Sequence, residues 1–107
     1  MSNSLPLIAL SSSVCVGHET EGWNLDETAD ESSEDRRFRW DVWFDAPFSS
    51  PPVVHLGLTG FDLDQCSSDR LRLSLVSVTE EGFQVELSTW RDSRVYSAGF
   101  QWLAIGS

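Results

Sequence analysis

Lysine is absent from this chain: its seven basic residues are all arginine, against 17 Asp and Glu, for a formal net charge of −10. Nucleic-acid binding needs clustered positive charge, so this balance excludes nucleic acid as a partner. The all-arginine usage fits bidentate recognition or, with more weight, the codon bias of a GC-rich genome. Histidine occurs only at 18 and 55, no GxSxG turn is present, and Cys15 and Cys66 belong to no Cys/His signature, which removes the usual nucleophilic machinery. Cys15-Val16-Gly17-His18 has no second ligand pair at matching spacing for zinc, and Asp26-Glu27-Thr28-Ala29-Asp30 lacks the glycine and closing glutamate of an EF-hand. No metal and no cofactor are expected. The many carboxylates cluster on an open stretch, whereas a glycosidase needs one acid held at raised pKa in an enclosed cleft, so the chain reads as a non-enzyme. Two cysteines define at most one disulfide, and free thiols are expected.

Long apolar runs are also missing. Leu5 to Leu10 is the nearest candidate, but no positive region precedes it and it is short for a signal core, so no signal peptide is expected. Nothing is long enough to span a bilayer. Cytoplasmic synthesis is the default reading, with non-classical export left open.

What is present points to one all-β domain over residues 1–107: an N-terminal strand and acidic loop in 1–35, and a sandwich core in 36–107. Eight acids and no arginine fall in the first part; nine acids and every arginine fall in the second. Phe38, Trp40, Val42 and Phe44 alternate with polar neighbours, as a half-buried strand requires. A second strand is expected over Val53–Leu58, ended by Gly60 and followed by a polar surface loop, Phe61–Asp69. Arg70–Val78 and Phe83–Thr89 should pair antiparallel through Glu80-Glu81-Gly82, with Glu86 across from Arg70 or Arg72. Trp90-Arg91-Asp92-Ser93 forms a turn before a long strand, Val95–Ile105, and a sixth strand is expected near Leu5–Val16. Between Gly17 and Asp35 lies a long acidic loop anchored by Trp23.

Five tryptophans exceed what core filling in so short a chain normally needs. One constellation stands out. If the hairpin closes as expected, Arg70 and Trp90 lie at the same end of it, with Arg91 beside them. A guanidinium can bond vicinal sugar hydroxyls and an indole can stack on the C–H face of a pyranose. On spacing alone that reading stands level with a plain one, in which Trp90 caps the core and Arg70 pairs with Glu86.

The ordered set Phe44, Pro51-Pro52-Val53-Val54, Arg70, Val78-Thr79, Gly82-Phe83, Thr89-Trp90, Val95-Tyr96-Ser97-Ala98 and Trp102-Leu103-Ala104-Ile105-Gly106 resembles the H-type lectin domain over roughly residues 38–106. The resemblance implies a six-stranded antiparallel β-sandwich assembling as a homotrimer or a dimer of trimers. It also implies calcium-independent binding of terminal N-acetylgalactosamine or galactose between neighbouring protomers. By position, Arg70 matches the family's sugar-binding arginine and Trp90 its stacking aromatic, while Arg91 stands where animal members often carry His. An acid from the neighbour's N-terminal loop completes the family's site, with Glu34 the nearer match and Asp35 the alternative. The cysteines of snail-type members do not align with Cys15 or Cys66. The rival readings are a trimeric interaction module that binds no sugar and, more remotely, a glycan-processing enzyme.

Overall fold

The computed structural model describes residues 6–30, 32–64 and 69–107. Six strands follow in order: β1 Ile8–Gly17, β2 Arg36–Trp43, β3 Val53–Leu63, β4 Arg72–Val78, β5 Gly82–Thr89 and β6 Val95–Gly106. They form two antiparallel three-stranded sheets, ordered β1-β6-β3 and β2-β5-β4. The all-β, six-stranded expectation is met, and β1 falls in the stretch where the sixth strand was expected, starting at Ile8.

Strict alternation builds the interior. Phe38, Val42 and Phe44 from the β2 segment and Phe83, Val85 and Leu87 from β5 face Ala98, Phe100, Trp102 and Ala104 from β6, all buried. The core divides into two clusters. One is packed around Phe44, Phe83, Phe100 and Trp102, with Phe83 and Trp102 edge to face at 5.3 Å between centroids. The other gathers Val16, Leu25, Phe38, Leu87, Val95 and Ala98 and lies towards the end of the sandwich that carries the turn after β5. Burying each such side chain stabilises the fold by about 1.5–3 kcal/mol.

Two expectations about strand ends need correction. β3 does not stop at Gly60: that residue pairs with Gly99, and Phe61, Asp62 and Leu63 pair onward with β6. A register shift between Leu58 and Gly60 absorbs the extra residue, Thr59, so the glycine sits beside a bulge rather than at a terminus. The expected loop is thereby shortened, and its members Gln65, Cys66, Ser67 and Ser68 lie outside the described residues. β4 begins at Arg72 instead of Arg70. Glu86 also sits differently, opposite Ser74 on β4 and Arg39 on β2; its carboxylate accepts from Arg39 Nε at 3.2 Å. The central position of β5 gives each outward residue two cross-strand neighbours, and the charged one wins.

The acidic segment between β1 and β2 is strapped down at more than Trp23. Trp23 packs tilted against Phe38 at 5.0 Å between centroids, and its indole N–H donates to the Val95 carbonyl at 2.9 Å. Leu25 is fully buried and its carbonyl accepts from the Val95 amide at 2.8 Å. Arg94 Nε donates to the Asp26 carbonyl at 3.0 Å. Further along, Asp30 accepts from the amide and hydroxyl of Ser32. Those hydrogen bonds hold its carboxyl below the ordinary aspartate value.

Candidate functional site

The turn joining β5 to β6, residues 90–93, is the point on which the sequence-derived site converges. The Ser93 amide closes it on the Trp90 carbonyl at 3.3 Å. Arg91 adopts a positive φ of 57°, a left-handed conformation that costs a non-glycine residue about 1 kcal/mol or more and persists only where its surroundings hold it.

The holding group is Arg36, the first residue of β2, which pairs with Thr89. It retains only 8% exposure. Its Nη1 donates to the Arg91 carbonyl at 3.1 Å, with a longer contact to the Glu34 carbonyl at 3.4 Å, and its Nη2 donates to the Ser93 carbonyl. Its Nε has no hydrogen-bond partner. The two terminal nitrogens of a buried guanidinium are thus met by carbonyl dipoles instead of a carboxylate, and they tie the turn to the end of the acidic segment. Glu34 is brought to the turn by this chain's own backbone. Glu34 and Asp35 are both exposed.

Arg70 approaches from β4's side. Thr89, fully buried, donates through its hydroxyl to the Arg70 carbonyl at 2.5 Å, which fixes Arg70 at the same end of the hairpin as Trp90. The Arg70 side chain does not meet Glu86. Its Nη1 donates to Asp92 Oδ1 at 2.7 Å and to Ser93 Oγ at 3.1 Å. The acid sits only two residues past Trp90, so the expected Glu86 pairing loses to a nearer partner. The Arg70–Asp92 pair is partly buried, and charge-assisted bonds of this length fix the guanidinium plane.

Trp90 is half-buried and is not among the residues of either core cluster. The Arg72 guanidinium lies over its ring, 4.9 Å from the centroid. The structure therefore brings Arg70, Trp90 and Arg91 to one end of the hairpin, with Glu34 and Asp35 at the adjoining start of β2. Sequence reasoning missed Arg36, Asp92 and Arg72. Arg36 continues the inward parity of Phe38, Trp40 and Val42, a signal that its charge masks. Among the described residues no group of three or more His, Cys, Asp or Glu is placed to hold a metal ion. No helix among the described residues is long and apolar enough to cross a membrane.

Comparison with known proteins supplies the class of this β-sandwich. The H-type lectin domain pattern matches residues 39–105, and the chain belongs to that family. A protein of Fuscovulum blasticum described as ATP synthase subunits region ORF 7 is 39% identical over 72 residues, which are 67% of this chain and 63% of that one. Two structures of discoidin II from Dictyostelium discoideum share the fold, with TM-scores of 0.74 and 0.76 at 21% and 20% identity. They cover 98% and 99% of this chain and 39% of theirs. The Pseudomonas phage phi297 tailspike gp61 aligns with a TM-score of 0.57 at 14% identity, over 94% of this chain and 16% of its own. The chain thus spans less than two thirds of each of these proteins.

Proposed function

We propose that this protein is a multivalent lectin that binds terminal N-acetylgalactosamine or galactose without calcium, through Arg70 and Trp90, with Arg91 and either Glu34 or Asp35 at the rim. The observation that carries the reading is Arg70, held at 2.7 Å by Asp92 beside a tryptophan that the core does not use. A guanidinium locked in this way keeps further N–H donors for vicinal hydroxyls, and the indole offers a stacking surface for a pyranose. The family and the discoidin II likeness support a sugar as the ligand.

Assembly into a homotrimer or hexamer supplies avidity, since shallow single sites bind sugars weakly. The outer face of the β1-β6-β3 sheet supports it. From the Ala9–Ile105–Val53 row to the Cys15–Gly99–Gly60 row, none of the outward residues on these three strands is Asp, Glu, Arg or Lys. The outer face of the other sheet carries Arg37, Arg39, Asp41 and Glu86. For a chain of net charge −10, the uncharged face is where a second copy approaches with least repulsion.

A sugar-free assembly module is the rival reading, favoured by the likeness to a phage tailspike. A glycan array probed with the labelled protein, with and without calcium, separates the two. Galactose or N-acetylgalactosamine binding that ignores calcium, and is lost in R70A and W90A, supports the lectin. An empty array from folded protein overturns it.

A further inference from the structure

On the outer face of the β2-β5-β4 sheet, cross-strand rows alternate in charge logic. In one row Glu86 stands between Arg39 and Ser74, and the Arg39–Glu86 contact of 3.2 Å neutralises it. In the next row, nearer the turn, Ser88 stands between Arg37 and Arg72. Both arginines are exposed, and neither makes an ion pair among the described residues. Ser88 itself keeps only 5% exposure. Two residues that flank one strand in this way have backbones about 10 Å apart. Arg39, Arg70 and Arg94 take the ion pairs found among the described residues, so this row presents two arginines with no carboxylate partner. Arg72 also reaches the Trp90 indole, so the row opens directly onto the candidate sugar site.

We infer that Arg37 and Arg72 form an anion-binding extension of that site, selecting galactosides that carry an acidic substituent, a sulfate ester or a carboxylate. The guanidinium fork matches either group bidentately, and two arginines on either side of Ser88 suit a single anion between them. The substituent projects from the sugar stacked at Trp90 towards Ser88. This inference rests on the sugar-binding reading of Arg70 and Trp90.

Calorimetric titration with three probes at low salt tests it: methyl galactoside, its sulfated counterpart and galacturonic acid. The wild type should bind at least one acidic probe about tenfold more tightly than the neutral one, the effect of one added charge-assisted contact. Raising the salt should erode that ratio, and in R37Q and R72Q it should fall towards one. Equal binding of neutral and acidic probes by the wild type overturns the anion row while leaving the lectin standing, as does an undiminished preference in both variants. Failure of all three probes removes the sugar site and the row together.

Discussion

The Arg72 guanidinium lies over the Trp90 indole at 4.9 Å from its centroid, and Trp90 and Trp43 are the two tryptophans that take no part in either core cluster. A cation packed on one face of an indole fixes the plane of the ring and leaves its opposite face and edge for a ligand. Trp90 is thereby oriented before any ligand arrives, which lowers the entropy lost on binding.

Asp92 orients the other half of the proposed site. Replacing it in D92N removes the charge that holds Arg70 at 2.7 Å but keeps a hydrogen-bonding side chain. Sugar affinity should fall roughly tenfold, equivalent to about 1.4 kcal/mol, while the thermal midpoint moves little because the pair is partly exposed. Calorimetric titration beside a melting curve checks both; unchanged affinity would show that Arg70 needs no positioning.

Arg36 is the structural counterpart. R36A strips the carbonyls of Arg91 and Ser93 of their shared donor and opens a cavity beside them. The loss should be about 3 kcal/mol, seen as a fall of roughly 12–20 °C in Tm. R36K keeps the charge but cannot span the same carbonyls, so it should rescue only part. Differential scanning calorimetry on the three proteins decides it.

The glycines separate cleanly by what surrounds them. A Cβ on Gly82 would meet the Val42 carbonyl oxygen at 2.2 Å, a backbone atom that cannot rotate away, whereas one on Gly57 meets nothing within 4 Å. G82A should therefore cost about 2 kcal/mol or more by forcing β2 and β5 apart, and G57A should be neutral or slightly stabilising. Chemical denaturation of the two variants reads the difference.

On the uncharged outer face of β1-β6-β3, Leu103 is central and exposed. L103E places like charges opposite one another if two copies meet there, and it leaves the folded single chain nearly untouched. Light scattering should find the wild type oligomeric and L103E shifted to the single-chain mass. An oligomer that persists in L103E would move the interface to another face.

Much of the architecture was legible because alternation is a local signal. The inward series from Phe38 to Phe44 and from Phe83 to Leu87 can be read two residues at a time, and the structure keeps it. What escaped were features decided by the third dimension. Gly60 reads as a stop until it meets Gly99 on the neighbouring strand. Glu86 reads as a partner for Arg70 until β2 closes on the other side of β5 and delivers Arg39. Of the candidate site, Arg70 and Trp90 were legible from the hairpin and from the family's ordered pattern. Asp92 was hidden inside a four-residue turn whose side-chain directions no periodicity describes. Arg36 was hidden by its charge, which argues for a surface place although its parity argues for the interior. The parity was right.

The bond between the Leu25 carbonyl and the Val95 amide and the grip of Arg36 on the turn together have an evolutionary corollary. The segment leading to Glu34 is pinned midway and again at its exit, both times to the stretch that follows Trp90. Between those pins, substitutions or small insertions would alter the outline and charge of the rim without displacing the arginine and tryptophan behind it. New ligand preferences could then be sampled along one stretch of chain while the sheets stay unchanged.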